Sequence, residues 1–167
     1  MSSLLDSKEH DEKVIKICPK GTEGEIIEIG GIFICLPKKP EKKQILGYSQ
    51  SKPLQVWTRI SMPKELSRIR SMDEWAETPK EFREKFRPYI EEEFRRRSEG
   101  IWFYNNGTPT YITGRHYMML QWTKLDIGYP YFLNFQREIF LHMAACEADP
   151  RCIGQLYTKC RRSGYTN

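Results

Sequence analysis

The stretch Ile101-Trp102-Phe103-Tyr104-Asn105-Asn106-Gly107-Thr108-Pro109-Thr110-Tyr111-Ile112-Thr113 leaves the backbone few choices. Two runs rich in aromatic and β-branched residues flank an Asn-Gly pair, the combination that tolerates positive φ at the centre of a two-residue turn. The pattern predicts a β-hairpin with strands over 101–104 and 108–113. A lone hairpin is marginal in water, so the segments around it must cover its faces.

The following residues supply helices. Thr113 is placed to cap one that runs through Arg115, His116, Tyr117, Met118, Leu120, Gln121 and Trp122. Tyr129-Pro130-Tyr131 interrupts it, and Asn134 is predicted to cap a second helix with an apolar stripe from Ile139 through Leu141, Met143 and Ala144, stopped by Asp149-Pro150. His116 has no nucleophile or carboxylate near it in sequence, which favours packing or capping over acid–base work. Before the hairpin, Thr78-Pro79-Lys80-Glu81 reads as a capping box, and Phe82, Phe86, Tyr89, Ile90 and Phe94 recur at helical spacing. That aromatic face is expected in a core or an interface. The helix is expected to end near Ser98, because Gly100 can take a positive-φ cap.

Residues 1–12 carry no apolar period and read as a mobile arm. Residues 13–60 read as a small β appendage and linker. Val14, Ile15, Ile17, Ile26, Ile27, Ile29, Ile32, Phe33, Ile34 and Leu36 come in short runs broken by glycines, and Pro37, Pro40, Pro53 and a lysine patch (Lys38, Lys39, Lys42, Lys43) follow. One further short strand is expected over 54–60. Residues 61–167 are taken as the helical and hairpin segment leading into a further domain.

At 167 residues, with 39% hydrophobic and 13% aromatic side chains, the chain can bury a core of its own. No apolar run approaches the roughly 20 residues of a membrane span, and the first residues lack the apolar stretch of a secretion signal. Five cysteines, an odd number with no C-x-x-C pair, fit reduced thiols better than a disulfide framework. His142, Cys146, Cys152 and Cys160 have spacings a metal could use, but free cysteine more often packs as a small hydrophobe. The formal charge of +5 is concentrated in the lysine patch, in Arg95, Arg96 and Arg97, and in Arg161 with Arg162. Such clusters can meet phosphate, although a solvated loop and a solvated helix end account for the first two.

The run Cys152-Ile153-Gly154-Gln155-Leu156-Tyr157-Thr158 reads as a buried strand, and Lys159-Cys160-Arg161-Arg162-Ser163-Gly164-Tyr165-Thr166-Asn167 as a basic loop after it. A phosphate-binding loop needs a glycine that lets backbone N–H groups curl round the anion, a cation, and a hydroxyl for Mg²⁺. Gly164 and Thr166 stand at the positions of the second glycine and the hydroxyl in G-x-x-x-x-G-K-[ST]. Tyr165 occupies the lysine position and Lys159 that of the first glycine. Lys159 can instead fold its methylene stem back over the anion, with Arg162 as a second cation. The alternative is a basic tail beside a strand.

The order Lys-x-x-Arg-x-Gly-Tyr-Thr resembles the deviant Walker A loop of tailed-bacteriophage terminase large subunits, in which the lysine comes first. The blocks over 100–166, namely Gly-Ile-Trp-Phe-Tyr-Asn-Asn-Gly-Thr-Pro-Thr-Tyr-Ile-Thr-Gly, His-Tyr-Met-Met-Leu-Gln, Asp-Ile-Gly-Tyr-Pro and Gln136-Arg137, look like terminases of the crAss-like phage type. They cover roughly the last 40% of the chain, and residues 1–60 show no comparable likeness. The resemblance implies an ATP-driven motor that packages double-stranded DNA through a portal into a procapsid, and a separate nuclease domain. It implies ATP and Mg²⁺ as cofactors, and double-stranded DNA, the portal protein, a terminase small subunit and further copies of itself as partners, in the host-cell cytoplasm and with no membrane. By the same resemblance Lys159, Arg162, Ser163, Gly164, Tyr165 and Thr166 form the phosphate site, Thr166 holding Mg²⁺ through its hydroxyl. Gln136 would read adenine, since a primary amide donates and accepts at once; an exposed polar residue in a first helical turn is the alternative.

The expected fold class is thus α+β leading into α/β, with an N-terminal β appendage, a helical segment, a hairpin and helices, then the first strand of a P-loop ATPase sheet. The Walker B acids, the catalytic glutamate, the coupling motif and the nuclease acids of the family are absent from these 167 residues. Phosphoryl transfer needs them, so the chain is expected to be an N-terminal piece that does not hydrolyse ATP alone. Two further classes remain open, a piece of another P-loop NTPase and a nucleic-acid-binding or scaffold module without enzymatic activity.

Overall fold

The computed structural model describes residues 14–48 and 56–157. Its elements in chain order are strands β1 (Val14–Lys16), β2 (Glu23–Ile29) and β3 (Ile32–Pro37), helices α1 (Met72–Glu77) and α2 (Lys80–Glu99), strands β4 (Ile101–Asn105) and β5 (Thr108–Ile112), and helices α3 (Gly114–Trp122) and α4 (Asn134–Ala148). The described part is therefore mixed α and β, with two small sheets. No helix among the described residues is long and apolar enough to cross a membrane.

The Asn-Gly hairpin forms as predicted, with Asn106 at φ 49° and Gly107 at φ 76°. β4 and β5 pair antiparallel from Ile101 opposite Ile112 to Asn105 opposite Thr108. Alternation along a strand sends Ile101 and Phe103 to one face and Trp102 to the other. Both faces are covered. Trp102 and Tyr111, with ring centroids 5.6 Å apart, join Ile34, Leu36, Ile45, Leu141 and Ala145 in one buried cluster. Ile101, Phe103 and Ile112 join Tyr117 and Leu120 in a second. The hairpin is thus the partition between two cores, and this removes the marginality it would have alone. Leu46 extends it by one rung, donating to the Trp102 carbonyl (3.1 Å) and accepting from the Tyr104 amide (3.0 Å).

The N-terminal strands form a sheet in the order β1-β3-β2, with β1 parallel and β2 antiparallel to β3. The central strand carries the buried side chains Ile34, Cys35 and Leu36. This sheet shares the Trp102 cluster with α4 and the hairpin.

Several local expectations are corrected. Thr78 ends α1 instead of opening α2: its backbone N–H and its hydroxyl both reach the Trp75 carbonyl, at 3.2 and 2.7 Å. A residue before proline is pushed to extended backbone, and Thr78 at φ −68°, ψ 146° obeys that constraint. The side-chain cap belongs to Ser71, which accepts from the Glu74 amide (3.1 Å), while Pro79 takes the cap position of α2 without a side-chain bond. α2 ends at Glu99, close to the predicted place, with Gly100 at φ 78°. Asn134 is the first helical residue of α4 and Leu133 its cap; the Asn134 side chain accepts instead from Asn105 at the hairpin turn (3.4 Å). Thr113 caps α3 as expected, accepting from the His116 amide (3.3 Å).

The aromatic face of α2 packs inward except at its C-terminal end. Phe86 is buried, but Phe94 is 64% exposed and its neighbour Glu93 only 6%. Glu93 points inward because α3 supplies its partners. It accepts from the Tyr117 hydroxyl (2.6 Å), from Trp122 Nε1, and from Arg97 Nε (3.0 Å). Gly114 lets α3 approach, since a Cβ there would stand 1.9 Å from the Arg97 carbonyl oxygen.

The expected strand over 54–60 is not formed within 56–60, and residues 54 and 55 lie outside the described part. Ile60 is held by a side chain instead: Gln121, fully buried, accepts from the Ile60 amide (2.9 Å) and donates to its carbonyl (2.8 Å). The expected strand over 152–158 is likewise not formed in its described residues 152–157. Ile153 and Leu156 lie in solvent, at 104% and 92% exposure. A strand needs a ladder partner, and this segment joins neither of the two described sheets. It folds back along α4 after a turn in which the Cys152 amide donates to the Asp149 carbonyl (3.0 Å).

Candidate nucleotide-binding site

Of the positions assigned from the sequence, Lys159, Arg162, Ser163, Gly164, Tyr165 and Thr166 lie outside the described residues. Gln136 is described. It sits in the first turn of α4, half-buried instead of fully exposed.

That turn is held from two sides. Leu141 and Ala145, one and two turns further along α4, are fully buried in the Trp102 cluster. Arg137, beside Gln136, donates through Nε to the Tyr111 carbonyl of β5 (2.7 Å). Burial pushes the Arg137 guanidinium below its ordinary range, the direction expected of a cation taken from water. Phe140 stacks on His116 with centroids 4.8 Å apart, and Phe132 stacks on the same ring at 5.6 Å. The helix start is therefore held in place by both its packing and its hydrogen bond to β5. Around it in sequence are exposed rings and aliphatics: Tyr129, Tyr131, Leu133 and Phe135. Arg59 covers the Tyr129 ring at 3.3 Å from its centroid.

The segment after α4 runs antiparallel to it. Gln155 Nε2 donates to the Met143 carbonyl (3.3 Å), and the Tyr157 hydroxyl lies 3.0 Å from His142 Nδ1. The direction 155 to 157 is thus from Met143 toward the N-terminal end of α4, the end that carries Gln136. From His142 to Gln136 is about 9 Å along the axis at the helical rise per residue.

The two basic clusters among the described residues differ in kind. Arg95, Arg96 and Arg97 are engaged with acids of their own helix: Arg95 and Arg96 with Glu92 (2.7 and 2.9 Å), Arg97 with Glu93 (3.0 Å). That arrangement is the solvated helix end anticipated from sequence, with Glu93 as its buried anchor. Lys38, Lys39, Lys42 and Lys43 are exposed.

A cavity of about 650 Å³ lies elsewhere, between Pro19, Pro37 and Lys38 on one side and Arg95, Glu99 and Trp102 on the other. Gln136 does not line it, whereas Lys38, Arg95 and Arg96 of the basic clusters do. Among the described residues no cluster of three or more His, Cys, Asp or Glu side chains is arranged to hold a metal ion.

Sequence reasoning missed Glu93 and the tie between Gln121 and Ile60. Glu93 carried a usable signal, its i,i+4 spacing to Arg97, but nothing local marks it as buried. The Gln121 tie joins residues 61 apart in the chain and has no local signal at all. Comparison of the chain with protein-family models, with curated proteins and with solved structures gives no match.

Proposed function

We propose that the chain is the N-terminal part of a tailed-phage terminase large subunit of the crAss-like type, and that Gln136 together with the loop 159–166 forms its ATP site. The observation that carries this reading is the course of residues 152–157 back along α4 toward Gln136. Two residues beyond Tyr157 the basic, glycine-containing loop begins at Lys159. The sequence blocks quoted above supply the family.

The residues present suit such a ligand. An amide on a fixed helical turn can pair with an adenine edge, and exposed rings such as Tyr131 and Phe135 nearby in the chain offer apolar faces to a purine. In this reading Lys159 and Arg162 neutralise the phosphates, and Ser163, Gly164 and Tyr165 present backbone N–H groups. The Thr166 hydroxyl is the ligand for Mg²⁺, which would neutralise charge on the transferring phosphoryl group. The first strand of a P-loop sheet would have to form from residues 152–158 once a neighbouring strand is available to pair with them. Double-stranded DNA, the portal, a small subunit and further copies of the chain are the partners of this reading, and the host cytoplasm its compartment.

The test uses a protein that continues this chain through a metal-holding acid and a catalytic glutamate. ATP turnover is expected there, abolished in Lys159→Ala with the far-ultraviolet circular dichroism unchanged. Gln136→Ala is expected to lower the preference for ATP over GTP by about 1–3 kcal/mol, the cost of leaving a buried polar group unmatched. Normal turnover in Lys159→Ala would remove the displaced lysine from the mechanism. Equal use of ATP and GTP, unchanged by Gln136→Ala, would return Gln136 to a structural role.

A further inference from the structure

The end of α4 brings two thiols together. Cys146 lies in its last turn, and the Asp149–Cys152 hydrogen bond reverses the chain directly after the helix. With Gln155 on the Met143 carbonyl and Tyr157 at His142, the returning segment is laid along α4 in reverse order. That order sets Cys152 beside Cys146. Cys146 Sγ is 3.6 Å from His142 Nδ1, and Cys152 Sγ reaches the Gly154 carbonyl at 3.3 Å. Burial, and next the Cys152 thiol beside it, push the Cys146 thiol above its ordinary range, which accords with the two sulfurs being neighbours. Both residues are partly exposed, whereas Cys35 is buried in β3.

We infer that Cys146 and Cys152 form a modification site, a thiol pair that a small-molecule disulfide converts into an intrachain disulfide, fastening residues 152–157 to α4. One protein thiolate attacks a sulfur of the reagent, breaking the reagent S–S bond and releasing one reagent thiol. The second protein thiolate then attacks the mixed disulfide and releases the other reagent thiol. Two protein S–H groups and one reagent S–S bond become one protein S–S bond and two reagent S–H groups. The pair stands on contacts within α4 and its return segment, independently of what the loop beyond Tyr157 binds.

Arg151 lies between the two cysteines, so trypsin separates them into peptides 138–151 and 152–159. The 167-residue chain is treated with oxidised glutathione at pH 8, its remaining thiols are blocked with N-ethylmaleimide, and it is digested. The expected product is peptide 138–151 joined to 152–159, lighter by two hydrogens than the sum of the parts and released by reductant. Amide exchange over 153–157 is expected to slow in the oxidised protein. In Cys152→Ser, Cys146 should end as a stable glutathione adduct. Recovery of both cysteines only as separate glutathione or maleimide adducts would overturn the pair. So would a cross-link from either one to Cys18, Cys35 or Cys160 in place of the other.

Discussion

His116 shows how one residue can be settled by its surroundings. Its ring is fully buried and stacked between Phe132 and Phe140, and neither ring nitrogen has a hydrogen-bond partner among the described residues. Burial first, and the Arg137 charge second, push its pKa down from the ordinary 6.5 to about 3. An imidazole held neutral in this way is a packing element, as its sequence context suggested. The sign of the linkage follows from the direction of the shift. The unfolded chain takes up a proton near pH 6.5 and the folded chain resists until about pH 3. Stability is therefore fully present above the unfolded value and falls as the pH drops through that window. His116→Phe, which keeps the stack and deletes both unpartnered nitrogens, is expected to be neutral or stabilising by about 1 kcal/mol at pH 7. It should also flatten the loss of stability between pH 6 and pH 4. Urea titrations across that range check both, and a variant that loses more than about 2 kcal/mol would show that the nitrogens are satisfied in solution.

At the scale of elements, α2 and α3 are joined through a buried carboxylate, Glu93. Glu93 holds Tyr117, Trp122 and Arg97 at once, and burial with that carboxylate beside it pushes the Tyr117 hydroxyl well above its ordinary range. Removing one partner of a buried charged cluster leaves the others desolvated and unpaired. Glu93→Ala is expected to cost about 3–5 kcal/mol, read as a lower urea midpoint at constant slope. Glu93→Gln retains an acceptor for Tyr117 and Trp122 and is expected to cost less. A loss below about 1 kcal/mol in Glu93→Ala would mean that apolar packing alone joins the two helices.

At the scale of the molecule, the hairpin is the shared wall of both buried clusters, so neither cluster can open without exposing it. The described part should unfold in one transition, with tryptophan fluorescence and far-ultraviolet circular dichroism coincident. Two separated transitions would show that the β1-β3-β2 sheet is stable apart from the rest. For the nucleotide reading, the 167 residues by themselves are expected to release no phosphate from ATP and to bind it at best in the millimolar range, about −4 kcal/mol. They contain the proposed phosphate loop without the metal-holding acids. Micromolar affinity by calorimetry would place the nucleotide site elsewhere in the chain.

What the sequence determined by itself is what contiguous residues decide. The Asn-Gly turn, the Thr113 cap, the short strands of the first sheet and the presence of the helices follow from backbone preferences over a few neighbours, and they stand where they were read. The candidate site was legible only in part: motif spacing suggests the loop 159–166 and the family resemblance adds Gln136, but only Gln136 falls among the described residues. The tertiary structure decided everything that needs a distant partner. Glu93 turns inward and Phe94 outward because Tyr117 and Trp122 stand on the helix opposite. Gln121 closes on the Ile60 backbone from the far side of the chain. Residues 152–157, apolar and β-branched enough to read as a strand, return along α4 without joining either described sheet, because hydrogen bonds between strands require a neighbour that composition cannot supply.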